Sequence, residues 1–153
     1  MKFQDYLKSI GACQDAVDWV GDRDPQTAWA ECHRPDWMLW LDEKLNLLTD
    51  KQRRHFACDC AEAVLPIFEN QCPNDDRPRK AIEVARRFAN GKATDEERAA
   101  AWAAARDASR DAAGAAAGDA AWAAAWDAAA KRLREYLPKM PRKIIAALKR
   151  AGR

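Results

Sequence analysis

AAWAAARDASR over residues 100–110 and AAWAAAWDAAA over residues 120–130 are near-copies, and eight of twelve positions agree between 99–110 and 119–130 at an offset of twenty. They sit in a run, 93–130, in which 21 of 38 residues are alanine. Alanine is the strongest helix former, yet its methyl group covers little apolar area. Helices built from it stand only when docked, and Trp102, Trp122 and Trp126 are the bulky anchors this run offers. An unbroken helix over 95–137 would contain 43 residues and run about 65 Å, too long for a domain of this size. Gly114, Gly118 and Asp119 supply a stop and a new cap, so the two copies read as an antiparallel helix pair broken near 114–119; the alternative is one continuous helix in which Gly114 and Gly118, four apart, permit close contact with a neighbour.

Outward from this pair the chain reads as all-α. No segment alternates apolar and polar residues long enough for a strand, whereas helix signals recur. Short helices are expected over 3–10, 12–20 and 25–32, separated by Gly11 and the turn at 21–24. Asp36 is placed to cap a helix with Trp37, Trp40, Leu41, Leu45 and Leu48 on its inner stripe and Asp42, Glu43 and Lys44 outside. Thr49 with Gln52, and Thr94 with Glu97, match capping boxes. The first opens a helix whose inner face is expected to hold Phe56, Cys60, Ala63, Val64 and Ile67, kinked or shortened near Pro66. Asp76 and Pro78 open another, with Ala81, Val84, Ala85 and Phe88 inside and Gly91 as its stop. Pro138 and Pro141 precede a last basic helix carrying Ile144, Ile145 and Leu148. The expectation is a compact bundle of seven to eight helices: a single domain over 1–137, with 138–153 as a basic helix or tail packed on it or extending from it. About five of the seven tryptophans are expected in the core.

Length and composition limit the function classes. At 153 residues, with a hydrophobic share of 48% and a charged share of 33%, the chain is that of one folded domain. No apolar run approaches the length of a membrane span, and the first ten residues lack the features of a secretory signal. Five cysteines without a CxxC pair read as reduced thiols in a cytoplasmic protein. The net charge of +2 is uneven: residues 131–153 hold nine Lys or Arg against Glu135 alone, leaving an acidic body.

Reactive constellations are weak. His55, Cys58, Cys60 and the adjacent Cys32 and His33 do not supply four convergent ligands, so no metal is expected. No GxSxG, HExxH, P-loop or dinucleotide glycine pattern occurs, and neither enzyme activity nor a cofactor is expected. The basic tail is a candidate phosphate-contacting surface through Arg132, Arg134, Lys139, Arg142, Lys143, Lys149 and Arg150. Its plainer role is a solvated face that complements the acidic body. Arg77, Arg79 and Lys80 beside Asp75 and Asp76 read most simply as a salt-bridged helix start.

Five segments add a family resemblance: 21–23 (GDR), 28–32 (AWAEC), 36–40 (DWMLW), 57–62 (ACDCAE) and 76–83 (DRPRKAIE), followed by the alanine-rich AW repeats. Together, over about 10–137, they resemble the type-five immunity proteins of polymorphic-toxin systems, whose members occur in bacterial genomes and in phages. The resemblance implies a protein that neutralises something. In a bacterium the target would be a toxin; in a phage it would be a component of host defence, such as a CRISPR effector or a nucleotide signal. No catalytic residues carry over. An inhibitor of this kind blocks a site by shape and charge and needs no chemistry of its own.

Asp36, Trp37 and Trp40, with Arg77 and Arg79, are the expected partner-binding residues, because aromatic rings and forked guanidinium groups dominate desolvated interfaces. The expected partner is a toxin or defence-system protein. A nucleotide held among tryptophan and arginine, nucleic acid on the tail, and a homodimer through flat alanine faces are the alternatives.

Overall fold

The computed structural model describes residues 1–111 and 119–151, and among them the chain is all-α, with nine helices and no strand. The break expected at 114–119 lies outside the described residues except for Asp119, where a helix starts, and so does the turn that would make the two copies antiparallel. The chain divides into two units: Met1–Leu48 with Ala130–Arg153, and Thr49–Ala129.

The first unit contains α1 (Phe3–Ser9), α2 (Gln14–Val20), α3 (Pro25–Glu31) and α4 (Pro35–Leu45), the end of α8 (Asp119–Tyr136), and α9 (Arg142–Ala151). Its core is made of large side chains. Val17, Trp29, Met38, Leu133 and Ile144 are each at most 3% exposed, and full burial of one such group stabilises by about 1.5–3 kcal/mol. Asp24 caps α3 by accepting the N–H groups of Gln26 and Thr27, with Pro25 in the first turn. Two expectations for α4 are corrected. Arg34, not Asp36, occupies its N-cap, because Pro35 takes the first helical position and moves the start two residues earlier. Asp42 is 3% exposed instead of outward, since its carboxylate accepts the N–H groups of Leu47 and Leu48 at 3.0 and 2.7 Å. Those bonds close a turn in which Asn46 adopts φ +49, a left-handed conformation that Asn tolerates better than most residues.

The C-terminal segment is built into this unit. The Trp29 indole N–H donates to the Leu137 carbonyl at 2.8 Å, Arg134 Nη1 to the Cys32 carbonyl at 2.8 Å, and the Met140 N–H to Gln26 Oε1 at 3.0 Å. Met140, Ile144 and Leu148 are buried.

The second unit contains α5 (Asp50–Gln71), α6 (Arg77–Ala89), α7 (Asp95–Asp111) and the start of α8. Both capping boxes form, Thr49 with Gln52 and Thr94 with Glu97. The expected inner face of α5 is corrected. Phe56, Cys58 and Leu65 are the buried residues, whereas Ala63, Val64 and Ile67 are exposed. The helix is apolar along two stripes, and α6 packs against the one bearing Cys58, Ala61, Leu65 and Phe68. Pro66 does not end the helix, which continues to Gln71. On α6, Ala81, Val84, Ala85 and Phe88 are half-buried, and Gly91 at φ +68 stops the helix as expected.

Among the described residues few large side chains are buried in this unit, and charges join its helices. Arg86 of α6 bonds Asp59 at 2.7 Å and also Glu62, both on α5. Arg79 reaches back to Glu69, and Arg87 pairs with Glu97 of α7. The guanidinium groups of Arg54 and Arg98 lie 4.8 and 4.9 Å from the Phe88 ring centre.

The expectation for the tryptophans is overturned. Of the six whose side chains are described, Trp29 alone is buried; Trp19, Trp37 and Trp40 are half-buried, and Trp126 and Trp102 are exposed, Trp102 by 63%. In the repeat, Arg106 lies over the Trp102 ring at 5.1 Å and screens one face of it. Among the described residues no helix is long and apolar enough to cross a membrane.

Candidate functional site

The first unit carries a pocket of about 510 Å³ between α1, α2, α3 and α4, with Met140 from the C-terminal segment in its wall. Its walls are mostly apolar: Phe3, Leu7, Val20, Met38 and Leu41 together with the rings of Trp19, Trp29, Trp37 and Trp40. Cys13, Asp15, Arg34 and Asp36 are the polar and charged side chains that line it.

The sequence places these groups by simple spacing. Arg34, Asp36 and Trp37 open α4, so a cation, a carboxylate and an indole converge within four residues. Arg34 forks onto Asp36, Nε to Oδ1 at 2.9 Å and Nη2 to Oδ2 at 2.7 Å. Its guanidinium also lies 4.4 Å from the centre of the Trp37 ring. The Trp19 and Trp37 rings meet at 6.0 Å and 55°, a tilted aromatic pair. Arg23 lies 4.8 Å from the Trp19 ring centre, held there by Glu31 at 3.0 Å, and Lys44 lies 5.8 Å from that of Trp40.

The fork from Arg34 holds the Asp36 carboxyl below its ordinary range, so Asp36 stays ionised down into acid, and Arg34 is in turn held as a cation. Burial pushes the Cys32 thiol upward, and its sulfur donates to the Arg34 carbonyl at 3.5 Å. A thiol so disposed is a small apolar filler and not a nucleophile.

Asp36, Trp37 and Trp40 come together at this pocket. Arg77 and Arg79 lie on the second unit, where each is already engaged: Arg77 forks onto Asp75 at 2.9 and 2.6 Å, and Arg79 onto Glu69 at 2.8 and 2.7 Å. Lys80 pairs with Asp76, so this cluster is the salt-bridged helix start anticipated from its charges. In the tail, Arg134 is spent inside the first unit on Cys32, while Lys139, Arg142, Lys149 and Arg150 are exposed; the Lys143 side chain is outside the described set. Arg34, Trp19 and Met140 are the site residues that sequence reasoning missed. The first had a signal, since it stands three residues before Trp37 at the start of a helix. Met140 had none, being 99 residues beyond Leu41 in the chain.

Elsewhere, His55 Nε2 lies 3.3 Å from Asn90 Oδ1 and Cys58 is buried. Among the described residues no three His, Cys, Asp or Glu side chains converge as metal ligands would.

A family model described as "Imm-5 like putative immunity protein" matches residues 43–151. No curated protein and no solved structure matches the chain. The extent of the resemblance read over 10–137 is therefore corrected: the match begins later and runs through the basic tail, which the structure shows to be packed into the first unit. Met140 is the pocket residue that the matched stretch contributes. With more than two thirds of its length inside that match, the chain belongs to the Imm-5 like immunity protein family.

Proposed function

We propose that this immunity protein neutralises its target, a toxin or a component of host defence, by stoichiometric contact in the cytoplasm and without chemistry of its own. The observation that carries the reading is the concave aromatic site at the start of α4, where three half-buried indoles and a forked Arg34–Asp36 pair surround an apolar pocket. Preset rings and ion pairs lose little conformational freedom on binding, which is the property that makes an anchor site strong. Asp36, Trp37 and Trp40 are the primary contact residues. Arg77 and Arg79 offer a separate charged contact on the second unit, already oriented by Asp75 and Glu69.

The test is neutralisation by the Trp37→Ala and Arg77→Ala proteins, singly and together. Activity should be lost while the helical circular dichroism is kept. If the variants lose their helicity, these residues serve the fold instead, and the contact surface must be sought elsewhere.

A second reading, sequestration of a nucleotide, draws support from the same ring-lined pocket. Asp15 and Asp36 in its walls weigh against it, because they repel phosphate. Calorimetry against a panel of nucleotides decides: absence of heat with every member removes this reading.

A further inference from the structure

We propose that the pocket of the first unit receives one uncharged aromatic side chain, a tryptophan or a tyrosine, from the protein that is neutralised. This rests on the inhibitory reading above and adds the chemistry of the occupant. The volume of about 510 Å³ is that of a ligand-enclosing site, with room for an aromatic side chain and part of the backbone that carries it. Aromatic walls favour a flat apolar group over a branched one, since offset stacking and edge contacts add to the area buried.

Charge narrows the choice further. Asp15 and Asp36 line the pocket against Arg34 alone, so phosphate and carboxylate groups are disfavoured there. A cation is disfavoured for a different reason. Each half-buried indole already bears one: Arg34 on Trp37, Arg23 on Trp19 and Lys44 on Trp40. Arg23 and Lys44 are not among the pocket walls, so these cations use the rings from outside it. A further cation inside would be repelled by Arg34, Arg23 and Lys44 around these rings, and that repulsion offsets the pull of Asp15. A neutral ring escapes both penalties. An indole N–H or phenol O–H also gives the Asp15 or Asp36 oxygens a donor, which a phenylalanine ring does not.

Four probes test this on the intact protein: indole, p-cresol, methylguanidinium and phenyl phosphate, each titrated by ligand-observed NMR. Indole and p-cresol should bind with a Kd of about 0.1–1 mM, as fragments of this size do, and the two charged probes should bind more weakly. Indole should also protect Cys13, an exposed thiol in the pocket wall, from alkylation. Trp37→Ala should weaken indole about three- to tenfold, the loss of one stacking partner. Ala12→Leu, which narrows the pocket, should weaken indole as well, with helicity unchanged. Tighter binding of either charged probe, or no binding of indole, overturns the proposal. Indole that stays bound in the complex with the neutralised protein also overturns it, in favour of a free small aromatic ligand, and leaves the inhibitory reading standing. A complex that displaces indole yet leaves the toxin active supports the pocket chemistry and sinks the inhibitory reading.

Discussion

The two units reach a helical fold by different means. In Met1–Leu48 with Ala130–Arg153, large apolar side chains such as Leu133, Ile144, Val17 and Trp29 are almost fully enclosed. Hydrogen bonds from Trp29, Arg134 and Met140 join segments more than 100 residues apart in the chain. In Thr49–Ala129 the buried set among the described residues is Phe56, Cys58, Leu65, Ala89 and Ala108, and the α5–α6–α7 contacts are framed by arginine–carboxylate pairs. A core of methyl groups leaves long side chains on the surface to complete the packing, and those chains carry charge. The pockets differ in the same way: that of the first unit is walled by the rings of Trp19, Trp29, Trp37 and Trp40, whereas the one between α5, α6 and α7 is lined by alanines, with Phe68, Phe88 and Trp102.

The comparison breaks first under core truncation. Ile144→Ala should cost about 3–4 kcal/mol in urea unfolding, and hydrogen exchange should rise first in the first unit. If Ile144→Ala costs under about 1 kcal/mol, the basic helix is an appendage and not part of that core.

Next in size is recognition. Trp37→Ala should weaken the complex with the neutralised protein about thirtyfold, near 2 kcal/mol, measured by calorimetry. An unchanged Kd would move the contact away from the pocket.

The second unit should respond to charge instead. Arg86→Met removes the cation shared by Asp59 and Glu62 and should cost about 1–2 kcal/mol at low salt, a penalty that shrinks in molar salt. Acid should act in the same direction. The Asp75 carboxyl is lowered by the fork from Arg77, and that of Glu97 by the Thr94 N–H and then Arg87. Depressed carboxyls contribute stability above their unfolded values of about 4, and that stability is lost as pH falls through the lower folded values. Unfolding followed from pH 6 down to 2 should therefore show loss beginning near pH 4, with amides of both units affected, because Asp24 and Asp36 of the first unit are lowered as well. The smallest effect belongs to Trp102→Ala, which should stay within about 0.5 kcal/mol because its ring is 63% exposed.

How much of this was legible in the sequence follows from the range of each signal. Caps act over three or four residues, so Thr49–Gln52, Thr94–Glu97 and the Gly91 stop could all be read directly. Helix faces were harder. On α5 the stripe through Ala63 and Ile67 is as apolar as the one through Cys58 and Leu65, and periodicity cannot choose between two apolar stripes. Asp42 reads as surface from helical periodicity, whereas its carboxylate accepts the N–H groups of Leu47 and Leu48, beyond the end of the helix. The tryptophans misled through size: rings were assigned to the core, but arginine and lysine stems shield them at the surface. At the site, Asp36, Trp37 and Trp40 were visible as a local cluster, while Trp19 and Met140 enter only through tertiary packing.

A stoichiometric titration tests the central claim most directly: residual toxin activity is followed as the protein is added to a fixed amount of the toxin. The account predicts a linear fall that reaches zero at a fixed molar equivalence, with the break lost in Trp37→Ala. Silencing of excess toxin by a trace of the protein would mean turnover, and would contradict it.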